Sequence, residues 1–216
     1  MSSNDFGYLI ENKITDFDTG EVDYLALSRY KDLIKDKSYF DFVIESKNCG
    51  FFYGKSLQMY AFSSLYTFND IENINSLLKG EYGIVMNGLV SFAQDLFGNQ
   101  FCFNKNDASI IFFNAETGER ESVASSYIDW INVLDDELEY FTGVNVLRTW
   151  LSDNLFKFDQ RLCPKIPFIM GGEFKVNNLY AGTFPEYIKA NSNIAKQVYN
   201  LPDGTKVKLN IQNNSK

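Results

Sequence analysis

The chain has 216 residues, of which 45% are hydrophobic, 16% aromatic and 22% charged, and this composition predicts a globular protein rather than a disordered or fibrous one. Its net charge of −8 argues against a nucleic-acid-binding protein, because phosphate recognition requires a basic surface. The absence of histidine excludes Ser-His-Asp catalysis, Cys-His catalysis and any zinc site with a histidine ligand.

Helices and then short strands are predicted in the first part of the chain. Apolar spacing of three and four residues predicts helices over 20–36 and 39–45, and a third helix that begins at Asn69 or Asp70 and ends at Gly80. The run SIIFF has no polar alternation, so we expect it to be a strand that is buried on both faces. Short turns between consecutive strands imply antiparallel neighbours. The predicted strands are 57–62, 83–86, 89–94, 100–104, 109–113 and 119–123.

The last part of the chain is predicted to be mostly helical. Ser126 and Asp129 form a capping-box pattern ahead of an apolar stripe at helical spacing, which consists of Tyr127, Ile131, Leu134, Leu138 and Phe141. Helices, strands and helices in this order predict an α+β fold with a mainly antiparallel central sheet flanked by helices. The remaining predictions are a break at Thr142-Gly143, a helical segment at 144–154, an irregular connection from about 157, a short helix at 185–196 and a closing strand at 205–211.

The three cysteines, Cys49, Cys102 and Cys163, form no CxxC motif, which predicts reduced, buried thiols rather than disulfides or a structural metal site. The N-terminal stretch lacks the charged-then-apolar pattern of a signal peptide, and no apolar run reaches the roughly 18 residues of a membrane span. We therefore expect a cytoplasmic protein without a metal, a cofactor or a membrane partner.

The stretch SFAQDLFGNQFCFN contains one carboxylate, Asp95, between two strand-like runs. A carboxylate at a strand end could act as a general acid or base, but that chemistry needs a second acid, a nucleophile or a metal, and this stretch supplies none. The alternative is structural: Asp95 accepts backbone N–H groups of a turn in which Gly98 and Asn99 tolerate unusual dihedral angles. We favour the structural interpretation, which leaves no catalytic residue here.

The strongest charge anomaly lies between Arg120 and Arg148, where six carboxylates occur without any Lys or Arg. Exposed helix faces usually mix charges of both signs, and acids near a helix C-terminus oppose its dipole. Two interpretations stay open for this face: an ordinary solvated surface, or a docking surface for a basic protein partner. The acids that a helix would place opposite the apolar stripe are Asp129, Asp135, Asp136 and Glu139.

Several motifs, taken in chain order, resemble the SMI1/KNR4 family of the SUKH superfamily. The run Asn48-Cys49-Gly50-Phe51-Phe52 is similar to that family's Asn-Gly-Gly turn and strand, with Cys49 where a second Gly is usual. Ser91-Phe92-Ala93 through Asp95, followed by Phe97-Gly98-Asn99-Gln100-Phe101, resembles the central signature of the family. The runs Ile110–Phe113, Glu116-Thr117-Gly118-Glu119 and Ala124-Ser125-Ser126-Tyr127 resemble its next strand, turn and helix start.

The resemblance implies a single α+β domain over 1–216, with a core at about 20–155 and a C-terminal extension at about 156–212, as in longer members of the family. Bacterial members are mostly immunity proteins that bind and neutralise toxins, many of them nucleases, and fungal members are scaffolds in cell-wall signalling. No catalytic residue carries over, because the shared residues of the family are architectural.

Three functional hypotheses follow from these observations. The favoured one is an immunity protein that binds a basic toxin domain and binds no nucleic acid directly. The second is a regulatory scaffold with another protein partner. The third is a carboxylate-based hydrolase, which would require a second acid close to Asp95.

Overall fold

A computed structural model describes residues 6–202 and 204–210 of the chain. The helices in these residues are α1 (Gly7–Glu11), α2 (Tyr24–Lys31), α3 (Lys37–Glu45), α4 (Ile71–Tyr82), α5 (Tyr127–Asp136), α6 (Leu138–Thr142), α7 (Val144–Leu151) and α8 (Glu186–Val198). The strands are β1 (Gly50–Phe52), β2 (Leu57–Met59), β3 (Leu89–Gln94), β4 (Gln100–Asn104), β5 (Ile110–Phe113), β6 (Arg120–Ala124), β7 (Gln160–Pro164) and β8 (Leu179–Thr183).

Strands β1 to β6 form one antiparallel sheet in which each strand pairs with its neighbours in the sequence. The inner strands β3, β4 and β5 are almost entirely buried. The edge strand β6 is exposed at its first three residues. This arrangement confirms the predicted α+β fold with an antiparallel central sheet flanked by helices.

Helices cover both faces of the central sheet, as strand β5 shows. Consecutive side chains of a strand point to opposite faces; Phe112 contacts Phe141 of α6, with ring centroids 5.4 Å apart, while Phe113 contacts Tyr82 of α4 at 5.3 Å. Trp130 of α5 lies on the same face as Phe141, because both rings contact Phe101. The covering of both faces explains why SIIFF is apolar throughout.

The residues after about 156 pack onto this sheet. Strands β7 and β8 form a separate two-stranded sheet, which is joined to the β3–β4 loop by the Leu162 N–H, a donor to Leu96 O at 2.9 Å. Helix α8 follows and packs against α4, and its Tyr187 hydroxyl donates to Gln94 Oε1 at 3.1 Å. Backbone and side-chain hydrogen bonds therefore connect the C-terminal part to the central sheet.

Some local predictions were wrong. Residues 83–86 form a short 3₁₀ helix instead of a strand, and α4 continues through Gly80 to Tyr82. Residues 205–210 form no strand, and Ile211 lies outside the described residues; instead, the Asn210 N–H donates to Gln197 Oε1 at 2.8 Å. The connection predicted to be irregular contains β7 and β8. Short apolar runs fit several structures equally well, and contacts with distant residues select among them.

Candidate functional site

The acidic stretch between Arg120 and Arg148 lies mainly on α5 and α6. Ser126 is the N-cap of α5, where its Oγ accepts the Asp129 N–H at 3.2 Å. Burial of one side of the helix against the sheet leaves the acidic side in solvent. The buried residues of α5 are Tyr127, Trp130, Ile131 and Leu134, and the exposed polar residues are Asp129, Asn132, Asp135 and Asp136.

Helices α5 and α6 are separate, although the apolar stripe predicts one continuous helix. Glu137 has φ −122° and ψ 39°, a non-helical conformation that ends α5 at Asp136. Phe141 still reaches Phe112 of the sheet after this break. Glu139 consequently lies on a second, five-residue helix, so a single helical projection does not describe its direction.

Two of the four acids singled out in the sequence have partners within the chain. The Asp129 carboxylate accepts the Ser125 hydroxyl, and hydrogen bonds from Ser125 and Ser126 lower the pKa of Asp129. Glu139 Oε2 accepts the Asn145 N–H at 2.8 Å. This bond satisfies a backbone donor in the first turn of α7, which has no partner inside its own helix. Both acids thus stabilise local structure.

Asp135, Asp136 and Glu137 differ from those two acids. All three are exposed, and within residues 6–202 and 204–210 none of their side-chain carboxylates forms a hydrogen bond or an ion pair. The ion pairs of the described part lie elsewhere: Arg29–Glu72, Lys37–Asp41, Lys175–Glu173 and Lys189–Glu186. Arg148, the next base along the chain, donates to Asn145 Oδ1 at 2.9 Å. The end of α5 therefore presents three uncompensated negative charges.

Asp95 lies in the β3–β4 loop at the centre of a hydrogen-bonded turn. Its Oδ1 accepts the Phe97 and Asn99 N–H groups, each at 2.8 Å, and its Oδ2 accepts Asn99 Nδ2 at 2.8 Å. Gly98 has φ +86°, a left-handed value that suits a residue without Cβ. Asn99 Oδ1 in turn accepts the Ala115 N–H at 2.9 Å, which ties this turn to the β5–β6 connection.

Burial raises the pKa of the Asp95 carboxyl to about 7. The Asn99 side chain, the Phe97 and Asn99 amides and the charge of Arg161 all act in the opposite direction. The side chain is only 1% exposed, and the one charged group that perturbs it is this arginine rather than a second acid. A hydrolase would need access for substrate and a second catalytic group, so the geometry does not support the hydrolase hypothesis.

Arg161 is a buried charge that the sequence did not single out. It is 1% exposed, donates to the Gln58 side chain and to Gln160 O, and lies over the Phe51 ring with a centroid distance of 5.7 Å. Burial lowers the pKa of Arg161. The only sequence signal is the position of Arg161 directly before the apolar pair Leu162-Cys163. Its contacts connect β7 to β1 and β2 of the central sheet.

Two surface grooves are lined neither by Asp95 nor by the acids of α5 and α6. The first, about 780 Å³, is lined mainly by residues 13–24. The second, about 1000 Å³, lies between 114–120, 168–174 and 198–209.

Among the residues that the structure describes, no group of three or more Cys, Asp or Glu could hold a metal ion. No helix in the same ranges is long and apolar enough to cross a bilayer.

Comparison with models of known protein families gives a match for the middle of the chain. Residues 28–133 match the model of the SMI1 / KNR4 family (SUKH-1). The chain belongs to the SMI1/KNR4 family. Members of this family are generally non-enzymatic immunity or binding domains, and membership supports a protein as the kind of partner.

The SMI1/KNR4 match runs from α2 into α5. It contains the Asp95 turn and Asp129, whereas Asp135, Asp136 and Glu139 lie beyond its last residue. The uncompensated end of α5 is therefore a feature of this chain outside the segment that the family model describes.

A solved structure is similar to this SMI1/KNR4 protein over most of its length. The crystal structure of Atu4351 from Agrobacterium tumefaciens matches with a TM-score of 0.62, covering 89% of this chain and 88% of that chain. The sequence identity is 16%, so the similarity concerns the fold alone. No curated protein matches the chain.

Proposed function

We propose that the protein is a non-enzymatic immunity protein that binds a basic toxin domain, a nuclease being one candidate, and neutralises it by stoichiometric occlusion. The observation that carries this proposal is the uncompensated end of α5, where Asp135, Asp136 and Glu137 are exposed without a partner in the described part of the chain. Membership in the SMI1/KNR4 family supports the same type of function.

Physical considerations favour a basic partner. The net charge of −8 attracts a basic protein over a distance of about one Debye length and accelerates the encounter. Exposed acids without local partners lose no internal hydrogen bond when they bind a Lys or Arg of the partner. Asp129 and Glu139 are the other acids of the predicted docking surface, but each would have to share a carboxylate that already accepts a bond from this chain.

Co-expression tests the function directly. Toxin domains encoded beside the gene for this chain are expressed in a sensitive host, with and without this protein. We expect the protein to restore growth and to co-purify with one of these domains in a fixed ratio. Failure to bind or protect against every such domain would refute the proposed function.

Charge reversal tests the surface. The double variant Asp135→Lys/Asp136→Lys should slow association with the toxin domain by about tenfold or more at low ionic strength, with a smaller change at high salt. The matched control, Asp32→Lys/Glu45→Lys, changes the net charge equally at exposed acids located at the C-terminal ends of α2 and α3. If both double variants have the same effect on the association rate, the end of α5 is not the docking surface.

A further inference from the structure

The two edges of the central sheet differ in how they are covered. At β1, the Ile14 N–H donates to Phe51 O at 2.8 Å and the Tyr53 N–H donates to Asn12 O at 3.0 Å, so the N-terminal segment pairs with this edge. Within the described residues, β6 pairs with β5 alone. The outer side of β6 is therefore an open edge, a backbone surface to which a further strand can be added.

The register of β5 and β6 identifies the main-chain groups on this open edge. The Asn114 N–H donates to Glu119 O at 2.9 Å, and bonded and non-bonded pairs alternate along an antiparallel ladder. Glu121, two residues further along, therefore also directs its main-chain groups toward β5. Arg120 and Ser122 direct their N–H and C=O groups outward, which provides two donors and two acceptors for an added strand.

The side chains of β6 leave these groups accessible. Arg120 Nη2 donates to Val85 O at 2.7 Å and to Asn87 O at 3.0 Å on one face of the sheet. Glu121 Oε2 accepts the Tyr140 hydroxyl at 3.4 Å on the other face. Residues 120–122 are exposed.

Some of the devices that protect sheet edges are present in β6, which is short, carries the charged residues Arg120 and Glu121 and contains a bulge, and others are absent. The strand contains no Pro and no Lys, two residues that natural edge strands use against unwanted pairing. A register shift opposite Ile110 and Ile111 leaves Val123 unpaired, and such a bulge disrupts the ladder locally. The open edge is thus limited to Glu119–Ser122.

Acidic side chains flank Arg120, the one base of this short edge. Glu119 and Glu121 are exposed, and Tyr140, which is 61% exposed, lies beside Glu121. Burial, Glu121 and Glu137 together raise the pKa of Tyr140, and Glu137, at the uncompensated end of α5, precedes Tyr140 by three residues. A Lys or Arg side chain on an added strand would meet carboxylates and the face of an exposed aromatic ring.

We propose that the open edge of β6, Glu119–Ser122, binds an extended basic segment of a protein partner as an additional strand. This inference rests on the proposed function, because it takes the partner to be a basic protein. It goes further by naming the backbone groups of β6 that would bind the partner. A second copy of the chain is a poor occupant, because Glu119 and Glu121 of both copies would bring like charges together in an already acidic molecule.

A peptide titration on the full chain tests the assignment of the edge. The probe is a synthetic peptide of alternating Lys and Thr, and the charge control is a peptide of alternating Glu and Thr. We expect the Lys-Thr peptide to shift the backbone NMR signals of β6 and to slow amide hydrogen exchange at Arg120 and Ser122, while the Glu-Thr peptide does neither. Protection confined to other elements, or no binding of the Lys-Thr peptide, would overturn the proposal.

A matched pair of variants tests the backbone contact. Ser122→Pro removes one outward N–H and leaves the β5–β6 bonds in place, whereas Ser122→Ala keeps that N–H. We expect Ser122→Pro to weaken binding of the Lys-Thr peptide by about tenfold, and Ser122→Ala to change it by less than about twofold. Equal binding by the proline and alanine variants contradicts the inference. If the proline variant is unfolded, hydrogen exchange at Arg120 and Ser122 of the unsubstituted protein tests the edge assignment instead.

The same variants separate this inference from the proposed function. A toxin domain that binds Ser122→Pro and the unsubstituted protein equally would overturn the edge assignment and leave the immunity function standing. Peptide binding at β6 without binding of any toxin domain would support the edge assignment and refute the proposed immunity function. Sedimentation would show whether the protein self-associates. Self-association that is lost in Ser122→Pro would mean that a second copy of the chain occupies the edge, and it would overturn the proposal that a basic segment of a partner binds there.

Discussion

Asp95 and Asp135 both lie where a regular element ends, and their surroundings are opposite. Asp95 is 1% exposed and accepts three N–H groups of its own turn. Asp135 is exposed and has no partner in the described ranges. The first carboxylate is surrounded by protein donors, and the second is surrounded by water.

This difference separates carboxylates that stabilise the fold from carboxylates that are free to bind a partner. Removing a carboxylate from water is unfavourable unless protein donors replace the lost hydrogen bonds, so the contacts of Asp95 are a condition of its burial. An exposed acid needs no such contacts and can accept a partner's cation. Asp129 and Glu139 are intermediate, since each is exposed and already accepts one bond.

The largest expected effect concerns pH and Asp95. Its pKa of about 7 in the folded protein lies above the ordinary value of 3.8, so between these values the folded protein keeps a proton that the unfolded chain has released. The stability that Asp95 contributes is therefore fully present below about pH 4 and is lost as the pH rises through 7, by up to about 4 kcal/mol.

Asp95→Asn removes this titration and keeps an oxygen for the Phe97 and Asn99 amides. Urea unfolding between about pH 4 and pH 8 should show the unsubstituted protein losing stability relative to the variant across this interval. Parallel curves for the two proteins would contradict the assigned burial of the Asp95 charge.

A smaller effect is expected from a pair of asparagines, one in each region. Asn99→Ala removes a donor to Asp95 and an acceptor for the Ala115 N–H, and we expect a loss of about 2 kcal/mol in the free energy of unfolding. Asn132→Ala, at an exposed position on α5, should change it by less than about 0.5 kcal/mol. Equal losses in denaturant titrations would show that the two regions do not differ as described.

The smallest effect is expected at the uncompensated end of α5. Asp135 and Asp136 lie in the last turn of α5, which contains no base, so each opposes the helix dipole. Asp135→Asn and Asp136→Asn should each raise the free energy of unfolding by about 0.3–1 kcal/mol at low salt, and by less at about 1 M salt. Asp129→Asn, in the first turn of the same helix, should lower the free energy of unfolding. If thermal unfolding shows that substitutions at both ends of α5 change the stability in the same direction, the helix dipole does not explain the effect.

The central strands could be predicted because local pattern is sufficient for them. The predicted strands 89–94 and 100–104 coincide with β3 and β4, since a dense apolar run followed by a Gly-Asn turn leaves few alternatives. Strands β7 and β8 were missed because they pair with each other across a long intervening loop that contains Pro and Gly. Residues 205–210 show the reverse error: alternation is present, but the segment bonds to a helix side chain instead of a strand.

The acidic face was recognisable in the sequence, but the state of each acid was not. A stretch without Lys or Arg is visible in the printed chain. The bond from the Asp129 N–H to Ser126 Oγ is also local and follows from the capping pattern, whereas the bond from the Ser125 hydroxyl to the Asp129 carboxylate lies outside that pattern. The bond from the Asn145 N–H to Glu139 depends on the break at Glu137, which no local pattern predicted.

The amino-acid sequence by itself determined the α+β fold class, the order of the central strands and the excess of negative charge, because these follow from composition, side-chain periodicity and turn residues within short windows. The tertiary structure alone decided which carboxylates are buried, where Arg161 lies and which sheet edge is open. These properties depend on segments far apart in the chain, whose packing sets the exposure and the hydrogen-bond partners of every polar group.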